Sequence, residues 1–474
     1  MTSNLTRRRF LVRTLNGAGA AAVATMAAGC GPTAARNPRR PNVLVIFSDD
    51  QGYGDLGCYG GTDLATPHVD RLAAEGVRFT NYYSAGAECT PTRTAFMTGR
   101  YFHRVGGLEC AIGTDNVGRY DDAIRLAEAH DLGLPQSEVT VAEMLGGCGY
   151  ATAVYGKWHL GYEEKFLPMH HGFDHFVGVL GGNCDYFHHA EVTGRKTLFE
   201  DDRPVERDDH MTALITDESV AFLERRKAAA EAGDAPPFFL YVAYTAPHSP
   251  YQGPDDRRPA LLSGEEWNKG DRAGYVALVE HMDKGVGRIL AALEAGGFRD
   301  DTLVVFASDN GGNRKASNAP FSGHKSSLRE GGIHVPCIAR WPGRLPAGRT
   351  CAQTCITMDL AVSIAAAAGV PADRHPPLDG LDILAHAAAG RPPMARNLFF
   401  RNRRGERTWR AVRSGDLKYL SRTDGDARQE WLFDLAADPA EQHDLLAARP
   451  ADARRLKALL AAWEEDVRHT RGRA

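Results

Sequence analysis

The chain has 474 residues, of which 43% are hydrophobic and 24% are charged, and its formal net charge is −4. This balance is typical of a soluble globular protein, and the length allows one large α/β domain with an appendage or roughly two to three smaller domains. The net charge and the lack of a long basic run give no reason to expect nucleic acid as a partner.

Residues 1–30 predict a targeting segment that lies outside the fold. The stretch TRRRFLV at 6–12 resembles a twin-arginine export signal, so we expect the twin-arginine machinery as a partner and an exported product. The apolar run that follows ends in AAGC, which resembles a lipoprotein cleavage site with Cys30 as the lipidated residue. Cleavage near Ala28 would instead give a free periplasmic protein. Residues 31–40 predict a flexible tether, and lipid on Cys30 is the one membrane contact that we expect.

Apolar runs alternate with helical patterns over residues 41–375. The runs predict buried parallel strands at 41–50, 151–159, 237–248, 301–312 and 335–343. Helical patterns lie between them, for example at 68–75, 138–147, 211–229 and 274–295. The alternation predicts an α/β catalytic domain with a large, mostly parallel sheet flanked by helices. Functional residues of such sheets gather at the carboxyl ends of the strands.

The segment 356–370 is apolar enough to raise the question of a transmembrane helix. Asp359 interrupts it, and Gly369 and Pro371 bound it, so the sequence favours a buried helix.

Residues 376–474 predict a smaller C-terminal α+β subdomain. Short strand-like pieces lie at 408–420 and 430–436, and an amphipathic helix follows at 450–467.

The stretch CTPTRTAFMTGR, which begins at Cys89, predicts a short helix. Thr90 is the expected N-cap, Pro91 suits the first helical position, and Gly99 can end the helix in a left-handed conformation. Cys89 then lies at a helix N-terminus, where free N–H groups and the helix dipole favour an anion. Arg93 on the first turn leans back toward it. The segment therefore predicts a place that holds a negative group against residue 89.

Two pairs of short oxygen-bearing side chains follow apolar strands. Asp49 and Asp50 end the first strand, and Asp309 and Asn310 end a later one. Such oxygen donors suit Ca²⁺ or Mg²⁺ better than zinc. Asp and Asn after strands are also common turn formers, and a single pair would be read that way.

Several basic residues fall at strand ends or in Gly-flanked loops. GKWHLG contains Lys157 and His159, TAPHSP contains His248, and GHKSSLREGG contains His324 and Lys325. A P-loop is excluded because the required glycine and Ser or Thr are missing around Lys157. Each of these segments alone is equally consistent with surface or core positions.

The nine cysteines and the histidine-rich stretch 169–189 do not favour zinc. CAQTC at 351–355 lacks a second CxxC or a histidine partner, and the histidines show no recognisable ligand spacing. Cys184, Asp185 and His188 in that stretch are candidates for the substrate pocket, with surface loop positions as the alternative.

Taken together, these segments resemble the sulfatase family within the alkaline phosphatase-like superfamily. The motifs on which this resemblance rests occur in the same order as in the family and span nearly the whole chain after the targeting segment. They are SDDQGYGDLGCYG, CTPTRTAFMTGR, GKWHLG, TAPHSP, SDNGG, GHKSSLREGGIHVP and, near the C-terminus, WLFDLAADPAEQHDL.

The resemblance implies that a sulfatase-maturing enzyme oxidises Cys89, in its C-x-P-x-R motif, to Cα-formylglycine. The hydrated aldehyde would attack sulfur with one hydroxyl and expel sulfate with the other, which a serine ester could not do easily. The resemblance also implies a divalent cation, Ca²⁺ or Mg²⁺, bound by residue 89 together with Asp49, Asp50, Asp309 and Asn310.

The remaining roles are implied by the same motifs. Arg93 and Lys157 would stabilise the ionised hydroxyl, and His159 would hydrogen-bond the diol. Lys325 would bind sulfate oxygens. His248 is the candidate acid for the leaving alcohol, with Lys325 as the second choice.

The expected substrate is a sulfated sugar or glycan or an aryl sulfate. The same site could instead cleave a phosphate or phosphonate monoester, because the two ester types share tetrahedral geometry. A third alternative is an unmatured, inactive protein that only binds sulfated glycans.

Overall fold

The computed structural model describes residues 40–114 and 118–469, so the predicted targeting segment and Cys30 lie outside the described residues. The helices are α1 Pro67–Ala74, α2 Cys89–Thr98, α3 Asp121–Glu128, α4 Val141–Gly146, α5 Met211–Glu231, α6 Arg272–Ala295, α7 Glu330–Ile333, α8 Met358–Ala368, α9 Ile383–Ala388 and α10 Pro450–His469. The strands are β1 Asn42–Ser48, β2 Val77–Phe79, β3 Tyr82–Tyr83, β4 Ala151–Lys157, β5 His175–Val179, β6 Leu198–Glu200, β7 Arg203–Pro204, β8 Phe238–Ala243, β9 Thr302–Ser308, β10 Cys337–Arg340, β11 Arg349–Cys351, β12 Cys355–Ile356, β13 Asn397–Arg404, β14 Arg407–Ser414, β15 Leu417–Asp424 and β16 Ala427–Asp434.

A ten-stranded sheet forms the centre, in the order β11-β2-β10-β9-β1-β8-β4-β5-β6-β7. Its five central strands, β9, β1, β8, β4 and β5, run parallel to one another. The predicted α/β fold with a large, mostly parallel sheet is therefore confirmed.

One predicted parallel strand is wrong in direction. The run at 335–343 forms β10, which pairs antiparallel with β9. The chain between β9 and β10 stays at one edge of the sheet instead of crossing over it through a long helix, so β10 returns in the opposite direction.

Helices cover both faces of the sheet, which explains why its strands are apolar without alternation. Val43, Val45 and Phe47 of β1 pack on the side that carries helices α2, α4 and α8. Leu44 and Ile46 pack on the other side, with helices α1, α5 and α6.

The segment 356–370 contains the buried helix α8, as expected. Among the described residues, no helix is long and apolar enough to cross a membrane.

Cys351 ends β11 and Cys355 begins β12, and both are buried free thiols. Within the described ranges all eight cysteines are free.

The C-terminal part forms a four-stranded antiparallel sheet, β13-β14-β15-β16, covered by α10. The predicted strand piece at 408–420 is in fact a hairpin, because Gly415 turns the chain with φ 62°. Strand β13 was not predicted. Tyr419 and Trp463 share one apolar cluster with Tyr83 and Ala95, so this sheet packs directly against residues around helix α2.

Candidate active site

The candidate site lies at the carboxyl edge of the central sheet, where β9, β1, β8 and β4 end side by side. The register of β1 and β9 aligns Ser48 with Ser308, which brings the next residues, Asp49 and Asp309, together. Asp50 has a left-handed backbone with φ 64°. Successive side chains of an extended strand point to opposite faces. The left-handed residue breaks that alternation, and both Asp49 and Asp50 face the same cluster.

Cys89 is the first residue of helix α2 and is 1% exposed. Its Sγ donates to Asp49 Oδ1 at 3.2 Å. Burial, and after it Asp309 and Asp49, raises the pKa of the Cys89 thiol well above its usual range. The predicted N-cap was wrong: Glu88 occupies that position, and the Thr90 hydroxyl donates to a carbonyl of the loop after β4.

The Asp49 carboxylate joins Cys89 to Lys157. Its second oxygen, Oδ2, accepts a hydrogen bond from Lys157 Nζ at 2.5 Å, and both side chains are fully buried. Burial disfavours the ammonium ion, but Asp49 together with Cys89 and Asp309 outweighs that effect and raises the pKa of Lys157. Lys157 is therefore a fixed positive charge close to residue 89.

Arg93 holds the second carboxylate of the cluster. Its Nε and Nη2 donate to Asp309 Oδ2 at 3.1 and 2.8 Å. Its Nη1 donates to the Lys157 carbonyl at 3.0 Å and to the Tyr241 hydroxyl at 3.2 Å. The expected role of Arg93, stabilising the ionised hydroxyl of residue 89 by its charge, stays a prediction. Every guanidinium nitrogen of Arg93 donates to a protein acceptor.

Lys325 and His248 meet at Asp50. Lys325 Nζ lies 2.8 Å from Asp50 Oδ1 and 2.9 Å from His248 Nε2. His248 Nδ1 lies 2.7 Å from the Ser249 carbonyl, which can only accept, so the imidazole proton is on Nδ1 and Nε2 accepts from Lys325. Burial outweighs Asp50 and, with Lys325, lowers the pKa of His248 to about 3. The available proton at this corner therefore belongs to Lys325.

His159 follows β4 in a left-handed conformation, φ 58°. Its Nε2 donates to the Ile112 carbonyl at 2.7 Å. Its buried Nδ1 has no hydrogen-bond partner among the residues that the structure describes. Burial, followed by Lys157, lowers the pKa of His159 well below its usual range. The ring is a neutral acceptor, as a hydrogen bond from a hydroxyl on residue 89 would require.

Five of these residues line one cavity of about 920 Å³. Cys89, Asp50, His159, His248 and Lys325 contribute to its wall. Sequence reasoning missed most of the remaining lining, which includes Tyr162, Asn183, Tyr251, Trp267, Arg314, Lys315 and Arg404. Arg314 and Lys315, one residue beyond SDNGG, were visible in the sequence. Arg404 was not, because it comes from the separate C-terminal sheet.

The residues present fit a divalent cation. Asp49, Asp50, Cys89 and His248 each place a potential ligand atom within 4.8 Å of the others. Buried Asn310 Oδ1 adds an acceptor with no hydrogen-bond partner within 40–114 and 118–469. Carboxylate and amide oxygens are the donors that Ca²⁺ and Mg²⁺ prefer. His248 was not among the predicted ligands.

Asp185 and His188, expected at the substrate pocket, lie elsewhere. Asp185 Oδ1 accepts from the backbone N–H groups of Phe187 and His188, and its Oδ2 accepts from Gln252. Its carboxylate therefore holds a turn. His188 lines a neighbouring cavity and not the one that contains Cys89.

Comparison with known proteins identifies the family. The sequence model of the Sulfatase family matches residues 41–370. N-acetylgalactosamine-6-sulfatase from Canis lupus familiaris is 35% identical over 382 residues, covering 76% of this chain and 67% of the relative. Arylsulfatase A from Homo sapiens is 32% identical over 456 residues, covering 86% and 84%. The crystal structure of Ps i-CgsB, also solved in complex with k-i-k-neocarrahexaose, superimposes with a TM-score of 0.77 at 30% identity, covering 90% of this chain and 93% of that one.

The chain therefore belongs to the sulfatase family, and its sheet has the alkaline phosphatase-like topology. It is a sulfuric ester hydrolase.

Proposed function

We propose that this chain is an exported sulfatase that cleaves sulfate monoesters of sulfated sugars or glycans through a Cα-formylglycine formed from Cys89. The observation that carries the proposal is the place of Cys89. It begins a helix, contacts Asp49 at 3.2 Å and opens on the cavity that Lys325 and His248 also line. The names of the relatives support the substrate class, since they include a sulfated-sugar hydrolase, an arylsulfatase and a protein solved with a carrageenan-type oligosaccharide.

Two groups absent from the chain as translated would supply the central chemistry. Formylglycine at position 89 supplies a hydrated aldehyde, whose one hydroxyl attacks sulfur and whose other hydroxyl lets sulfate leave. A divalent cation, Ca²⁺ or Mg²⁺, would be held by residue 89 with Asp49, Asp50, Asp309 and Asn310, and it would supply positive charge to the reacting oxygens.

The protein groups around residue 89 act by position and charge. Lys157 and Arg93 hold Asp49 and Asp309 in place, and their charges favour the ionised form of the attacking hydroxyl. Neutral His159 accepts a hydrogen bond from a hydroxyl of residue 89 through its free Nδ1. Because these donors and acceptors are buried and fixed, they need little rearrangement as charge develops.

Lys325 and His248 serve the substrate. Lys325 carries the positive charge that binds sulfate oxygens, and it donates to His248 Nε2 at 2.9 Å. Because the Ser249 carbonyl holds the Nδ1 proton of His248, the leaving alcohol takes its proton from Lys325, and His248 positions the Lys325 ammonium group through Nε2.

We also propose twin-arginine export to the periplasm, with lipid on Cys30 as an anchor. The sequences TRRRFLV and AAGC support it. Replacing Arg7 and Arg8 with lysine should leave precursor in the cytoplasm. Cys30→Ala should move the protein from the membrane fraction to the soluble fraction, and an unchanged distribution would exclude the anchor.

The experiment that tests the catalytic proposal uses protein made together with a sulfatase-maturing enzyme. A peptide mass spectrum over residues 79–93 should show the Cys89 thiol replaced by an aldehyde. The same preparation should hydrolyse an aryl sulfate much faster than the matching aryl phosphate and phosphonate. Retained cysteine in an active preparation would reject formylglycine, and preference for phosphate or phosphonate would reject the substrate class. Converted protein that binds sulfated glycans without cleaving any sulfate ester would reject catalysis.

A further inference from the structure

Two basic residues at the cavity lack an acidic partner. Arg314 and Lys315 both line the cavity that contains Cys89. Neither charged group makes a hydrogen bond or ion pair with a described protein residue. Lys157 and Lys325 differ in this respect, because each is paired with an aspartate of the catalytic edge. Charge at Arg314 and Lys315 therefore remains available to a ligand.

The backbone that carries this pair is firmly held. Asn313 Oδ1 accepts the Lys315 N–H at 2.9 Å, and the Asn313 carbonyl accepts the Ala316 N–H at 3.1 Å. Arg272 Nη1 donates to the Lys315 carbonyl at 3.1 Å. Asn313 Nδ2 also lies 3.5 Å from Asp50 Oδ2. The turn is thus attached to the edge where the ester would be cleaved, and the two side chains extend from a fixed base.

The cavity has room and surfaces for more than one sugar. Its volume of about 920 Å³ lies near the upper end of ordinary ligand pockets. Tyr251 and Trp267 add aromatic surface to its wall. Trp267 is 3% exposed, so the half-buried Tyr251 supplies most of that surface and its hydroxyl supplies the polar edge. An aromatic ring with a polar edge suits the apolar face and hydroxyl groups of a sugar.

We propose that Arg314 and Lys315 form a second anion subsite, which binds a sulfate or carboxylate group of the substrate other than the sulfate that is cleaved. The inference rests on the proposed function, because it takes Cys89 as the cleavage point. It narrows the substrate class to sugars or oligosaccharides with at least two anionic groups. Arginine and lysine are the side chains that bind such oxyanions, arginine through paired N–H donors.

Binding tests the subsite without requiring turnover. In the Cys89→Ala background, Kd is measured by calorimetry for N-acetylgalactosamine 6-sulfate, for its 4,6-disulfate, and for a disaccharide of hexuronate with N-acetylgalactosamine 6-sulfate. Arg314→Ala/Lys315→Ala should weaken the doubly charged probes by about tenfold and the monosulfate by less than about twofold. Arg391→Ala/Lys227→Ala removes the same charge from exposed positions outside this cavity and should change none of the three.

The outcomes separate the subsite from the reaction. If the double substitution weakens binding of the disulfate alone, the subsite binds sulfate. If it weakens binding of the uronate disaccharide alone, the subsite binds carboxylate. If it weakens binding of both, the subsite accepts either anion. Raising the salt concentration should reduce the difference in Kd between the double variant and the protein that keeps Arg314 and Lys315, because exposed charges are screened. An equal loss of affinity for all three probes, or no loss of affinity for any of them, would overturn the proposal. In matured protein the same double substitution should raise KM for the doubly charged substrates, whereas a lack of any sulfate release would overturn the proposed function and leave the binding result intact.

Discussion

Glu441 of the C-terminal part accepts a hydrogen bond from the Glu330 backbone N–H at 2.8 Å. Its other oxygen pairs with Lys418 Nζ at 3.0 Å, and Lys418 also pairs with the Glu330 carboxylate at 2.7 Å. All three side chains are at most 2% exposed. Glu330 follows the loop that carries Lys325, and Glu441 also accepts from Ser322 at the start of that loop. The C-terminal part therefore fixes both ends of the loop that presents Lys325.

Glu441→Ala should lower both stability and substrate affinity. Lys418 keeps Glu330 as its partner, but the Glu330 N–H and the Ser322 hydroxyl lose their acceptor. The cost should be about 2 kcal/mol, and the loosened loop should raise KM. Urea unfolding and steady-state kinetics measure the two effects. Glu441→Gln keeps an acceptor for the backbone and should lose less, and Asp426→Ala, in an exposed hairpin turn, is the control. If Glu441→Ala shows the expected loss of stability but an unchanged KM, the contacts of Glu441 do not position Lys325.

Asn310→Ala should weaken divalent-cation binding by about tenfold or more while leaving the fold intact. The substitution removes an unpartnered buried oxygen and changes no charge. Metal analysis and Ca²⁺ and Mg²⁺ titrations measure it, with Asn268→Ala in the same cavity as the control. Asp309→Ala should lose the bound cation and the activity together, and it also leaves the buried Arg93 without its carboxylate partner. Unchanged metal content in both variants would remove Asp309 and Asn310 from the ligand set.

Cys89→Ser should reduce sulfate release by at least about a thousandfold, because a serine sulfate ester lacks the second hydroxyl that expels sulfate. Ion chromatography measures the product, and thermal unfolding should match the parent protein. Cys58→Ser, at a half-buried cysteine outside the cavity, should keep full activity. The comparison requires a maturing enzyme that does not act on serine. Near-normal turnover of Cys89→Ser would refute the formylglycine mechanism.

The protein should lose stability between pH 6.5 and about 4, in part through His171. Burial, followed by His170, lowers the pKa of His171 from 6.5 to about 4. Because this pKa is depressed in the folded state, the unfolded chain takes up the proton first, and stability falls as pH falls across that window. The loss reaches about 3 kcal/mol for such a shift. Urea unfolding at several pH values should show a weaker dependence for His171→Leu than for the control His130→Gln, whose side chain is 80% exposed. Identical slopes would exclude His171.

Much of the fold could be predicted from local pattern, because buried strands and the residues at their ends are contiguous in sequence. Asp49 and Asp309 were expected together since parallel strands align their carboxyl ends, and the register of β1 and β9 does so. The direction of β10 was not visible, because apolar content is the same for either orientation of a buried strand.

The pairing of charges within the site was beyond the sequence. Motif order placed Arg93 and Lys325 near residue 89, but which carboxylate each one meets depends on three-dimensional geometry. Arg93 meets Asp309, and Lys325 meets Asp50. Asp185 of the histidine-rich stretch was expected at the substrate pocket for a similar reason. Its carboxylate accepts a backbone N–H of its own turn, and residue spacing alone does not reveal that contact.

The burial of helix α2 limits when the proposed oxidation of Cys89 could take place. All ten residues from Cys89 to Thr98 are buried, including the proline and arginine that a modifying enzyme would need to grip. An enzyme that oxidises Cys89 must therefore meet the segment while it is still extended, during or shortly after synthesis. If the chain is exported already folded, the proposed oxidation would take place in the cytoplasm, before export. Oxidation, folding and export would then occur in that order. A chain that folds before oxidation would be exported with an unmodified Cys89 thiol, buried and out of reach of the modifying enzyme.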